Sequence, residues 1–457
     1  MPSASPVGID QLGLYLGELR MGRLLYRRVD RAFAVEVTPE FLASGHDIAP
    51  IIYPHLDVFR EGIVEYRGEP KATSPFIAGL PGFIVDSLPD RWGQLLADRE
   101  APGKEWTIMD SLASIGAGGP GAIAFRVPGA PEVGSSEPVP ENLAGLAALA
   151  ERIKRSLPDK GRIRTGSLST GGTLGGVFPK VGAHLPAKIC KGGVVRAERL
   201  LVGGLPPAGH VPGIVKFSPI PDDETQGAVE YAFHTMACAA GLHLPPACLL
   251  EDDKGGRHFA VERFDRIVRP DGSVGRIHAQ SLSALLHRDA VGAIRYEDLI
   301  VLASQLGGPK EALEAFRRVV FNLLATNRDD HGRNHAFLYD ASRRSWSLAP
   351  AYDLNPSLGE TLTAIRWGSG GEIPRRFGEV LELAASGGIS EAEAVEVFEQ
   401  VESAVAQWPK HARASGVSPE AAGAWGEGIL SAAKQGGPLR TDAKAFIASR
   451  RGTRSVS

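Results

Sequence analysis

The densest concentration of chemically capable side chains lies in Asn327-Arg328-Asp329-Asp330-His331-Gly332-Arg333-Asn334. An apolar run, Phe321 to Ala325, leads into it, and a β-like run, His335 to Tyr339, leads out. After a short polar turn, Trp346 to Tyr352 reads as a second strand that ends at Asp353. Carboxylates and amides packed this closely beside apolar residues need water, partners or a cation. Asp329 can take a proton from a hydroxyl, and Asn334, five residues on, offers an amide oxygen. Magnesium needs few protein oxygens when phosphates and water complete its shell, so Asn334 and Asp353 together suffice. The chemistry this predicts is transfer of a phosphoryl group. A capped turn followed by a helix start would use the same residue types without any chemistry. His331 and His335, four apart beside two acids, also admit a metal hydrolase. A zinc site, however, wants both histidines on one helical turn, and Gly332 together with a strand beginning at His335 works against that.

Upstream residues supply the remaining parts in a meaningful order. Protein-kinase catalytic loops follow His-Arg-Asp-x-x-x-x-Asn, and this chain reproduces the Arg-Asp pair and the step to Asn. Before that loop a kinase needs glycines whose backbone N–H groups approach phosphate oxygens, then a strand lysine, then a helix glutamate that orients it. Gly171, Gly172, Gly175 and Gly176 lie in the most glycine-dense stretch, with Thr173 among them. Lys216 follows in Ile214-Val-Lys-Phe, and Glu230 sits on a helix predicted over 226–241. Each has a plainer reading alone: a flexible linker, an edge-strand charge, a solvated helix face. Their order favours the joint reading.

The elements that position these residues divide the chain. At 457 residues it exceeds one ordinary core. Short alternating runs predict a β-rich N-terminal subdomain over 1–127, and a Pro/Ser/Glu-rich stretch opens a linker and connecting helix over 128–160. A lobe with the glycine loop and lysine spans 161–265, a helical lobe 266–440, and a tail 441–457, basic, polar and frayed over Arg450–Ser457. Asp86 or Ser87 is expected to cap a helix turn, and Gly116–Ala122 to be a connecting turn rather than a phosphate loop. A formal charge of −3 gives no basic field, so direct DNA binding is not expected. Three cysteines without a CxxC fit a reducing compartment, with Cys238 and Cys248 read as buried small hydrophobes. Neither a signal peptide nor a membrane-spanning run is visible, so a cytoplasmic protein without membrane contact is expected.

Longer motifs make the chain resemble HipA-type serine/threonine kinases, the toxins of bacterial toxin–antitoxin pairs. These are Asp86-Ser-Leu-Pro-Asp-Arg-Trp-Gly93, close to the family's Asp-Ser-Leu-Pro-Asp-Gly-Trp-Gly, then Val261-Glu-Arg-Phe-Asp-Arg266, Asn327 to Phe337, and Leu348-Ala-Pro-Ala-Tyr-Asp-Leu-Asn-Pro356. The resemblance implies an α/β (α+β), two-lobed protein-kinase-like fold. It implies Asp329 as base, Asn334 and Asp353 as magnesium ligands, and Lys216 on the phosphates of ATP. Glu262 and Phe264 match the hinge that binds adenine, and His331 matches a shape-setting histidine of the ATP site. Thr173 stands where the family carries an autophosphorylated serine, and Phe178 replaces a glutamine of the following Gly-x-Gln-x-Lys run. Arg91 replaces a glycine and is expected outside the cleft. Also implied are a protein acceptor, aminoacyl-tRNA synthetases being known targets in the family, and a helix-turn-helix antitoxin. A degenerate, antitoxin-binding kinase fold and a small-molecule phosphotransferase share the same residues and stay open at this point.

Overall fold

The computed structural model describes residues 10–67, 80–130, 136–155, 179–188, 192–217, 226–355, 364–368, 372–434 and 438–454. The N-terminal subdomain is an antiparallel sheet of β1 (Gln11–Leu16), β2 (Leu19–Arg27), β3 (Ala32–Val37), β4 (Val64–Arg67) and β5 (Ile123–Arg126), in the order β4-β3-β2-β1-β5. Alternation in β1 buries Leu12 and Leu14 while the residues between them stay partly exposed, as period-two patterning requires. Four short helices belong to this part of the chain, α1 (Pro39–Ser44), α2 (Gly82–Val85), α3 (Arg91–Glu100) and α4 (Ile108–Ile115), of which α1 and α4 pack on the sheet. The Thr107 and Asp110 side chains start α4 with a reciprocal capping box.

The second lobe is a seven-stranded sheet. Its strands are β6 (Val139–Asn142), β7 (Lys180–Pro186), β8 (Val194–Arg196), β9 (Arg199–Val202), β10 (His210–Lys216), β11 (Ala247–Glu251) and β12 (Arg257–Glu262), ordered β6-β9-β7-β10-β12-β11-β8. The segment expected as linker therefore belongs partly to this lobe. β6 pairs with β9, and α5 (Leu143–Lys154), capped by Asn142, packs on the sheet through Leu146, Leu149 and Ile153. In β10 the alternation sends Val215 and then Phe217 into that core, leaving Ile214 and Lys216 on the opposite face.

Helix α6 (Gln226–Ala239) crosses behind the sheet. It can approach because Gly227 has no side chain: a Cβ there would lie 2.4 Å from the Arg257 carbonyl. A small hairpin, β13 (Arg266–Val268) with β14 (Val274–Arg276), precedes the sheet of β15 (His278–Ser281), β16 (Ala336–Asp340) and β17 (Ser345–Leu348). The helical lobe comprises α7 (Leu282–Leu286), α8 (Tyr296–Gly307), α9 (Pro309–Leu324), α10 (Phe377–Ser386), α11 (Glu391–Val405), α12 (Trp408–Ala414), α13 (Pro419–Lys434) and α14 (Pro438–Arg454). The stretch expected as a frayed tail is thus helical to Arg454. Among the described residues no helix is long and apolar enough to cross a membrane.

One large core joins the N-terminal sheet to the helical lobe, and a second core fills the seven-stranded sheet. Helix α3 belongs by sequence to the N-terminal subdomain, yet Trp92 and Leu96 are buried in the second core. Cys248 is buried as expected, whereas Cys238, late in α6, is exposed.

Candidate functional site

A cavity of about 360 Å³ opens between the seven-stranded sheet, the N-terminal subdomain and the helical lobe. Its apolar lining includes Ile214, Phe259 and Val261 on neighbouring strands together with Leu244 and Leu354. Charged side chains line it as well, among them Asp90, Lys180, Lys216, Glu230, Arg333 and Asp353. His234, one turn beyond Glu230 on α6, lies with its ring 5.8 Å from that of Phe259, and burial lowers its pKa to about 4.

Lys216, the last residue of β10, is held by two carboxylates. Its Nζ is 2.5 Å from Glu230 Oε1 and also bonds Asp353 Oδ1. Burial alone would lower the lysine pKa, but Asp353 and Glu230 outweigh it and raise the value. Asp353 shows the complementary balance, since burial would raise it and Lys216 and Lys180 hold it low instead. Glu230 remains raised because burial dominates there. The three groups form one charge-sharing unit, and Asp353 is set into it by a left-handed backbone with φ +57°.

Helix α9 delivers the loop that carries Asp329 and Asn334. Gly308 and Pro309 start it, and Ala312, Ala315, Phe316, Val319 and Val320 form its buried stripe. It stops at Thr326, a β-branched residue at φ +59°, after which the Asn327 N–H reaches back 2.9 Å to the Asn322 carbonyl. The two adjacent acids then diverge. Asp329 is exposed and is not one of the lining residues, but its carbonyl accepts from Asn334 Nδ2, which lines the cavity, at 3.1 Å. That bond leaves Asn334 Oδ1 as the end available to a cation. Asp330 is buried, accepting from His335 Nε2 at 2.8 Å and from the Tyr296 hydroxyl at 2.9 Å. Burial would raise the Asp330 pKa, yet the His335 and Tyr296 contacts lower it. Asp330 therefore anchors the loop to α8 and β16. Since His335 is committed to Asp330 while His331 lines the cavity, the two histidines do not converge on one ion, and among the described residues no cluster of three or more metal-binding groups occurs.

Glu262 and Phe264 line the cavity beside Tyr352, whose ring lies 5.5 Å from that of Phe264. Behind them, charges that would read as solvated at a strand end are buried. Asp265 accepts from both Arg263 (2.9 and 2.8 Å) and Arg266 (2.8 Å), and its pKa is depressed well below the carboxylate range because the guanidiniums outweigh burial. The same cluster grips the loop at 116–121: the Gly121 N–H donates to Asp265 at 2.8 Å, and Arg266 Nη2 donates to the Gly119 carbonyl at 2.7 Å. That loop is a connection clasped by the hinge.

Two upstream expectations change. The Asp86 side chain does not cap the start of the helix that follows, because both its oxygens accept from Ser281, at 2.6 Å from the N–H and 2.7 Å from the hydroxyl. Asp90 provides the cap, with Oδ1 2.6 Å from the Gly93 N–H. Arg91, expected outside the cleft, lines the cavity. Gly171, Gly172, Thr173, Gly175, Gly176 and Phe178 lie outside the described residues. Lys180, the lysine of the Gly-x-Gln-x-Lys run, also lines the cavity, 3.1 Å from Asp90. Asp90 and Asp330 are missed from the sequence, where their only signal is acidic character beside apolar residues.

Residues 172–408, more than half of the chain, match the family described as HipA-like C-terminal domain. The chain belongs to the HipA-like family. Two proteins of Sinorhizobium fredii (strain NBRC 101917 / NGR234) are similar to this HipA-like chain. One, named "Putative kinase Y4mE", is 34% identical over 146 residues, which is 28% of this chain and 32% of that protein. The other, named "Putative kinase Y4dM", is 27% identical over 306 residues, 61% of this chain and 63% of that protein. The matches thus span about a third and just under two thirds of those relatives. The HipA chain in the complex of Shewanella oneidensis MR-1 HipA, HipB and operator DNA aligns at TM-score 0.65 and 18% identity, over 96% of this chain and 97% of that one. The fold is therefore the expected two-lobed, kinase-like one, with a β-rich N-terminal subdomain and a mainly helical C-terminal lobe.

Proposed function

We propose that this HipA-like protein is a serine/threonine kinase that transfers the γ-phosphoryl group of Mg-ATP to a protein hydroxyl. The observation that carries the reading is the Glu230–Lys216–Asp353 unit in a cavity that also has apolar side chains in its lining. An adenine ring suits Ile214, Val261 and the Glu262–Phe264 hinge, and Lys216 supplies positive charge for polyphosphate. The donor set fits magnesium: Asn334 Oδ1 and the Asp353 carboxylate are hard oxygen donors, and both residues line the cavity. When bound, the ion would neutralise phosphate charge. Asp353 would then turn from Lys216 toward it, and Lys216 would keep Glu230 and face the phosphates. Asp329, exposed beside Asn334, is placed to accept the acceptor's hydroxyl proton. By analogy with the Shewanella HipA–HipB complex, a DNA-binding antitoxin is the proposed partner and regulator.

The test is incubation of purified protein with radiolabelled ATP, magnesium and a cell extract as acceptor, comparing wild type with Asp329→Asn. Labelled protein bands with wild type and loss of at least about a hundredfold with the variant are expected. Equal labelling by both proteins would defeat the assignment. Mg-ATP binding by wild type without any transfer would favour the non-catalytic, antitoxin-binding alternative.

A further inference from the structure

We propose that Arg91 and Arg333 are the acceptor-recognition site of this cleft, two guanidiniums that select a serine or threonine with an acidic group close to it in sequence. This rests on the kinase reading above. Both side chains line the cavity, and among the described residues neither enters an ion pair. The two lysines and the third arginine of the lining are neutralised: Lys216 by Glu230 and Asp353, Lys180 by Asp90, and Arg263 by Asp265. The acids that precede Arg91 are committed as well. Asp86 gives both oxygens to Ser281, and Asp90 gives one to the Gly93 N–H and the other to Lys180.

Neither arginine is explained by the element that carries it. Arg91 is the first residue of α3, directly after the Asp90 cap, where a cation opposes the helix dipole. Its side chain is exposed, and Trp92 and Leu96 supply the packing that anchors the helix. It also replaces a glycine of the motif that this chain resembles, so the charge is a feature of this chain. Arg333 lies in the loop between Asp329 and Asn334, and the Tyr352 hydroxyl donates to its carbonyl at 2.6 Å. That bond ties the loop to the segment carrying Asp353. Burial raises the Asp86 pKa and the Arg333 charge opposes it, so Arg333 acts across the cleft on the segment that leads to Arg91.

The two guanidiniums thus come from opposite walls, one beside Asp90 and one beside Asn334. A chain that brings its hydroxyl to the exposed Asp329 has to pass the loop that carries Arg333. An arginine fork suits a carboxylate or a phosphate group, each of which accepts two parallel N–H donors. Unmatched positive charge at this edge favours an acid in the passing chain and rejects a lysine at the same place.

The experiment labels synthetic serine and threonine peptides with radiolabelled Mg-ATP, each flanking position carrying in turn alanine, lysine, aspartate, glutamate or phosphoserine. Mg-ATP dissociation constants and melting temperatures are measured for each variant. Wild type is expected to prefer an acidic group over alanine at one flanking position by about tenfold, the size of one charge-assisted contact. The three acidic arms tell carboxylate from phosphate. Arg91→Gln and Arg333→Gln should each erase most of that preference with unchanged Mg-ATP affinity. Arg333→Lys should keep the preference, and Arg91→Glu should turn it toward lysine. Weaker Mg-ATP binding by either glutamine variant would overturn the proposal, because that arginine would then serve the nucleotide. Labelled peptides without an acidic preference, or labelled extract proteins with no labelled peptide, would overturn it and leave the kinase reading intact. Wild type that labels neither peptides nor extract would sink both.

Discussion

At the scale of single residues, Asp329 and Asp330 show how adjacent identical side chains acquire opposite environments. Asp329 is exposed, as the proposed base must be, so Asp329→Asn should cost less stability than the loss of its buried neighbour. Asp330 is buried between the Tyr296 hydroxyl and His335 Nε2. Asp330→Ala strands both donors in the core, and a loss of roughly 3 kcal/mol is expected. Urea unfolding of the two variants against wild type tests the division, and equal stability of both would refute it. The sequence made Asp329 legible because the Arg-Asp pair and the five-residue step to Asn334 are local. It left Asp330 without a role because its partners include Tyr296, 34 residues away. Asp90 was hidden for the same reason: Lys180 was legible as the lysine of the Gly-x-Gln-x-Lys run, but its ion pair with Asp90 spans 90 positions and is made by packing of α3 on the sheet.

At the scale of elements, the strand alternation that places Ile214 and Lys216 on one face was readable, as was the helix carrying Glu230. What could not be read was which loops touch. The glycine-rich connection at 116–121 gave no sign that it closes on Asp265 and Arg266, nor did the Val261–Arg266 stretch show that Arg263 and Asp265 are buried. Gly121 makes that closure possible, with φ +69° and a hypothetical Cβ only 2.8 Å from the Ala279 nitrogen. Gly121→Ala should therefore wedge the connection away from β15 and the hinge, at a cost of about 2 kcal/mol. The expected signature is a lower melting temperature together with weaker Mg-ATP binding, since Glu262 and Phe264 lie beside the clasp. An unchanged melting temperature would show that the loop yields without strain. By contrast, β6 was missed because Val139 to Asn142 is short and acquires strand character only by pairing with β9.

At the scale of the whole molecule, the N-terminal subdomain is fastened to the kinase-like lobes at several polar points set around a shared core. Asp86 binds Ser281, Asp265 binds the Gly121 N–H, and Trp346 Nε1–H donates to the Asp47 carbonyl at 3.1 Å. His278 is one fastening that titrates. Its Nε2 lies 3.1 Å from the Ile48 carbonyl, and its ring packs against Tyr339 and Trp346. Burial first, then the nearby Arg276 charge, lowers its pKa from 6.5 to about 4. A histidine held neutral in the folded state favours that state fully above its unfolded pKa, and the contribution is lost as pH falls from 6.5 toward 4. Between pH 6.5 and 5.5 the loss from this one residue is about 1 kcal/mol. Buried carboxylates with raised pKa, Asp86 and Glu230 among them, push the other way on acidification, so the total slope mixes signs. His278→Gln isolates the term: the variant should be less stable at pH 7.5 yet lose about 1 kcal/mol less than wild type between pH 6.5 and 5.5, by urea unfolding at each pH. Parallel losses in the two proteins would mean that His278 takes up its proton without disturbing the junction, and that the subdomain is held by its other fastenings alone.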